Sequence, residues 1–179
     1  QEAVCQRDIL KKQLGQMETM YLISHAAALP ENPVTLLNKV SGLLHKVIPM
    51  RMMACVIKQE PMRGIYAILF SSIEKEEFEK FVAELQSETQ NKEEGNAIKT
   101  HVEWAISSSQ GPSFPGLGRV TEITFPERSS LEGALYIALP EERALAYDEE
   151  RLLEVTAAQV AGSISKLKEF QVNERKRMK

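Results

Sequence analysis

Cysteine is scarce in this chain. Cys5 and Cys55 are too few for a disulfide framework and lack the paired spacing of a zinc site. Histidine is nearly as rare: His25, His45 and His101 lie far apart, with no His-x-x-x-His pair, and the spacing around them predicts helix surfaces rather than a metal centre. No apolar run reaches the roughly 20 residues needed to span a bilayer, and no signal-peptide pattern opens the chain. Excess positive charge is missing too. A formal net charge of -3 argues against a general nucleic-acid binder, and only the tail is basic, with Arg175, Lys176, Arg177 and Lys179 against Glu174. Internal repeats are absent. These absences predict a soluble cytoplasmic domain without nucleic-acid or membrane partners, and 179 residues suffice for one good core.

Catalytic constellations are missing as well. Ser107-Ser108-Ser109 and Ser129-Ser130 supply hydroxyls with no base nearby in sequence, whereas nucleophilic catalysis needs a base oriented by a third group. Gly116-Leu117-Gly118 lacks the third glycine of a nucleotide loop. The expectation is a protein that is not an enzyme and has no assigned cofactor or metal. A small enzyme with its chemistry in the Gly/Pro-rich loop is the reading set against it.

Helical periodicity is abundant. Leu10, Leu14, Met17, Tyr21, Ser24 and Ala28 recur at steps of four and three, predicting a helix from Glu2 to Ala28 with one apolar seam. Pro30 and Pro33 interrupt it, with Asn32 as N-cap and Pro33 as the first residue of a second helix that ends by Pro49. Arg51 to Ile57 and Ile65 to Phe70 read as a hairpin across a turn-rich link. A third helix spans Glu74 to Glu88 on Phe78, Phe81, Val82 and Leu85, with Ser72 as its expected cap. The stretch from Asn96 to Ser108 fits both periods, and its length with Gly111 behind it predicts a helix. A very short strand is expected at Ser113-Phe114, and Val120 to Phe125 with Leu131 to Leu139 form a second hairpin. The last helix starts near Asp148 and carries its own seam, Leu153, Ala157, Val160, Ile164 and Leu167. Neither Gly nor Pro occurs from Ser163 to Lys179. The expected architecture is α+β: a central antiparallel sheet, helices on one face, and the N- and C-terminal helices packed together.

The residues resemble the GAF domains of bacterial signalling proteins from about Met17 to Phe170. The resemblance rests on His101 to Ile106 with Gln110-Gly111-Pro112 and Phe114-Pro115, on Val120 to Pro126 with Leu131 to Ile137, and on Tyr147 through Ile164. A PAS-like sensor is the other fold weighed. The Asn-Lys-Phe-Asp-Glu signature of cyclic-nucleotide binders is absent. So is the bilin binders' Asp-Ile-Pro signature, and the cysteines needed by the methionine-sulfoxide reductase branch are too few. The resemblance therefore implies a GAF-like sensor with the ligand open.

On that basis the chain divides into an N-terminal signalling and dimerisation helix (1–28), a sensor core (29–160) and an exit helix (161–179) leading to an output domain. Because the sequence begins with Gln1, it is expected to be a piece of a longer protein. The terminal helices are expected to pair with their copies as a parallel bundle through Leu10, Leu14, Met17, Tyr21, Val160, Ile164 and Leu167, giving a homodimer. Strand alternation nominates Met53, Cys55, Ile68, Ile123 and Leu135 for a pocket, with Trp104 and Phe114 at its rim, suiting an apolar or aromatic small molecule. The expected function is a regulatory module that passes ligand or partner binding to an output such as a diguanylate cyclase or histidine kinase. The alternative is a ligandless interaction or structural adaptor.

Overall fold

Local chemistry sets the first two helices. α1 (Glu2–Ala28) stops short of the prolines, and α2 (Pro33–His45) opens with Asn32 Oδ1 accepting the Thr35 N–H at 2.8 Å and Pro33 at the first position. The computed structural model describes residues 2–28, 32–89, 100–104, 113–114, 117–140 and 143–179. After α2 come β1 (Met52–Ile57), β2 (Gly64–Leu69), β3 (Ser72–Ile73), α3 (Lys75–Thr89), β4 (Thr100–Trp104), β5 (Ser113–Phe114), β6 (Val120–Thr124), β7 (Gly133–Ala138) and α4 (Tyr147–Arg177).

Five strands form one sheet in the order β4-β2-β1-β7-β6, and β3 pairs with β5 separately. Both predicted hairpins are present: β1 with β2 and β6 with β7 are antiparallel, and β1 also pairs antiparallel with β7. The expected helix from Asn96 to Ser108 is corrected where it is described, because Thr100 to Trp104 is strand β4. It runs parallel to β2, with Trp104 opposite Leu69. A parallel neighbour needs a crossover rather than a tight turn, and α3 lies between the two strands in sequence to supply it. His101 accordingly lies on a strand, not a helix, and Ser72 belongs to β3 rather than capping α3, which starts at Lys75.

Every residue of β1, β2 and β7 is buried. That follows from helices on both faces, and it is why these strands read as continuous apolar runs rather than alternating ones. α1, α2 and α4 cover one face, packing Ile23, Leu37, Val40, Leu153 and Val160 against Met53, Cys55, Ile68 and Ile137. The expected layer of helices is present there. α3 covers the other face, where Phe81 and Leu85 meet Met52, Ala54, Ile65, Ala67 and Tyr136.

Candidate functional site

The pocket residues nominated from alternation fall on the helix-covered face. Met53, Cys55, Ile68, Ile123 and Leu135 are all buried in one cluster with α2 and α4, so their side chains fill the core. The Cys55 thiol is held far above its ordinary range by burial and is unreactive there. Tyr66 beside it is raised by burial first, and its hydroxyl donates to the Met62 carbonyl at 3.0 Å. Trp104 and Phe114 lie on other elements, β4 and β5, at register positions opposite Leu69 and Ile73. The structure thus brings five of the seven together as core rather than as a ligand cavity. The opposite set of strand positions faces α3.

That opposite face carries a hollow. An open depression of about 230 Å³ lies between α3 and the β6-β7 hairpin, with Phe81, Leu85, Val120 and Tyr136 as its floor and Glu84, Glu88 and Glu122 at its rim. Phe81 meets Tyr136 edge-on, with ring centroids 5.9 Å apart. The Tyr136 hydroxyl donates to Glu122; burial first, then the charges of Glu122 and Glu88, push its pKa well up, so it stays a neutral donor. No basic side chain lines the hollow among the described residues, so its field favours a cationic or neutral guest over a phosphate. A larger depression of about 500 Å³ lies along the same hairpin, lined by Lys58, Glu122, Glu127 and Glu132 among others. The described residues hold no group of three potential metal ligands.

The terminal helices form the other candidate element. Gln16 Nε2 donates to Asp148 Oδ2 at 2.7 Å, Gln159 Nε2 to Ser24 Oγ at 2.6 Å, and Ser163 Oγ to the Ala27 carbonyl at 2.7 Å. Residue numbers rise together along both helices, so α1 and α4 run parallel. Lys12 Nζ lies 3.0 Å from Asp148 as well, and these two donors hold the Asp148 carboxyl below its usual range. α4 starts on a buried carboxylate: Glu149 accepts the Ala146 N–H at 3.1 Å, and Arg143 Nη2 donates to both of its oxygens, at 2.9 Å to Oε1 and 2.8 Å to Oε2.

The two seams fare differently. Val160 and Ile164 are fully buried in this chain's own core and Leu167 packs against it, so they are not free to meet a copy, contrary to expectation. Leu10, Leu14, Met17 and Tyr21 are all exposed, because α1 docks through Thr19, Ile23 and Ala27 on its other side. Sequence reasoning missed the α3-side hollow and the polar ties between α1 and α4. The apolar residues at every position of β1, β2 and β7 were the available signal for a second covered face.

The architecture has a solved counterpart. A GAF domain from a phosphoenolpyruvate-protein phosphotransferase of Coxiella burnetii superposes with a TM-score of 0.54 at 13% identity, over 89% of this chain and 98% of that one. The fold is GAF-like. A GAF domain from the Acinetobacter phosphoenolpyruvate-protein phosphotransferase aligns over 84% of this chain at 12% identity with a TM-score of 0.49. No protein-family model matches the sequence, and no curated protein matches it. At this identity the GAF-like likeness concerns backbone architecture alone. No helix among the described residues is long and apolar enough to cross a membrane.

Proposed function

We propose that this chain is a regulatory module of a cytoplasmic signalling protein, in which events at the sheet reach an attached output domain through the terminal helices. The observation that carries the reading is the parallel pair α1–α4, laid on the sheet through Ile23, Val160 and Ile164, with the start of α1 and the end of α4 extending past the paired segment at opposite ends. Residues 2–14 of α1 are exposed throughout, and so are most residues of α4 after Lys168. A ligand or partner that favours one arrangement of sheet and helices shifts the pair by its differential affinity for the two states. The α3-side hollow is the natural seat for a small ligand, and an uncharged aromatic or a cationic group suits its floor and rim. The exposed seam on α1 supports self-association as part of this reading, with α1 rather than α4 at the contact. A diguanylate cyclase or histidine kinase is the kind of output such a helix pair drives. The module itself is read as non-catalytic.

A second reading has its own observation. The residues nominated for a pocket are close-packed core, and the hollow is small and open, as suits a ligandless adaptor. Native mass spectrometry of the purified chain, repeated after denaturation, separates the two. Extra mass lost on denaturation supports the sensor; a bare polypeptide mass, unchanged across a panel of aromatic and cationic metabolites, removes ligand sensing and leaves the adaptor.

A further inference from the structure

α1 carries two apolar stripes on nearly opposite sides. One, through Thr19, Ile23 and Ala27, docks on the body of the domain. The other is Leu10, Leu14, Met17 and Tyr21, which expose 64%, 67%, 67% and 70% of their surface. At 100° per residue the stripes lie roughly 150° apart, so the outer stripe faces away from the side that docks.

We propose that the occupant of this outer stripe is α1 of a second copy, lying antiparallel about a two-fold axis between Leu14 and Met17. The argument is the chain's complementarity to itself. Antiparallel pairing stacks Leu14 on Met17 and Leu10 on Tyr21 of the other copy and places Arg7 opposite Ser24. Lys11 and Glu18 flank the seam on the same side, one heptad apart, and both are exposed. Antiparallel pairing sets Lys11 of each copy beside Glu18 of the other, making two opposite-charge contacts by symmetry. Parallel pairing in register brings Arg7 against its own copy and leaves Lys11 and Glu18 facing Gln6 and Gln13, so it forfeits both contacts. The orientation therefore departs from the parallel bundle suggested by seam spacing alone. Four large side chains per copy fall short of the roughly 800 Å² per partner of a standard interface, so the pair is of the weak, concentration-dependent class. The inference rests on the self-association part of the proposed function and not on ligand sensing.

Sedimentation velocity of the full chain, from about 5 to about 500 μM, is the test. The wild type is expected to shift from monomer towards dimer, and Leu14→Glu with Met17→Glu to stay monomeric while keeping wild-type far-UV circular dichroism. Lys11→Glu and Glu18→Lys singly are each expected to weaken the dimer about tenfold, and the double swap to restore it. A wild type that stays monomeric throughout overturns self-association and this pairing together. A dimer that ignores Leu14→Glu/Met17→Glu overturns α1 as the contact. A dimer lost with that variant but indifferent to the charge swap overturns the antiparallel orientation alone.

Discussion

Gly133 pairs with Ile57 where β7 leaves no space for a methyl group. A Cβ there would lie 2.8 Å from Phe125 Cε2 and would meet the Val56 carbonyl oxygen. Backbone cannot yield as a flexible side chain does, so Gly133→Ala is expected to cost about 1–3 kcal/mol. A urea titration checks this; an unchanged midpoint would contradict so close an approach. His45 gives a pH-dependent counterpart. Its ring stacks on Phe70 at 4.2 Å, and Nδ1 accepts the Met50 N–H at 3.3 Å, which assigns the proton to Nε2. Burial pushes its pKa below 6.5, and a protonated Nδ1 cannot accept that bond. The folded state therefore binds fewer protons than the unfolded one. The contribution is complete above the unfolded pKa and shrinks as pH falls below it. Thermal midpoints at about pH 7.5 and about pH 5.5 should differ more for the wild type than for His45→Asn, which does not titrate. Equal differences would remove His45 from the account.

At the scale of elements, α4 depends on its first turn. Ala146 has no side chain with which to cap the helix, so Glu149 serves its N–H from inside the turn while Arg143, through Nη2, neutralises the carboxylate. Glu149→Gln keeps the shape and removes the charge, and it is expected to cost about 1–2 kcal/mol. Hydrogen exchange should locate the loss in residues 147–151, and unaltered protection there would argue against the role. Several elements were legible beforehand: α1 and α2 from seam, proline and cap, and both hairpins from their turns. β4 was not. Ile98, Val102 and Ala105 satisfy a helical period while Val102 and Trp104 satisfy a strand's, and so short a segment cannot choose between them. The free edge of β2, meeting it from Ile65 to Leu69, made the choice.

For the whole molecule, the consequence is an asymmetry between two seams of the same spacing. Ile164 has no exposed surface, so Ile164→Asp puts a charge into the core and is expected to destabilise the fold by more than about 4 kcal/mol. Leu14→Glu changes an exposed position and should alter stability by no more than about 0.5 kcal/mol. Parallel denaturation curves of the two variants measure the contrast. Similar losses from both would mean that α1 is integrated into the core as deeply as α4. The candidate site shows the same division of roles. Met53, Cys55 and Leu135 share one face by alternation, as the sequence implied, yet that face meets α2 and α4. The hollow formed instead beneath α3, around Tyr136.

Periodicity and turn chemistry, read from the sequence alone, determined where most helices and strands run, which residues share a face, and that the architecture is α+β with paired terminal helices. They also ruled out disulfide frameworks and metal spacing. Only the tertiary structure decided what each face meets: the α4 seam turned inward, the α1 seam left outward, α3 on the far side of the sheet, and β4 parallel at its edge. The reason is physical. A repeat of 3.6 or 2 residues groups side chains by direction, through local backbone geometry. Whether that direction ends in core, cavity or solvent depends on the long-range packing of elements distant in sequence.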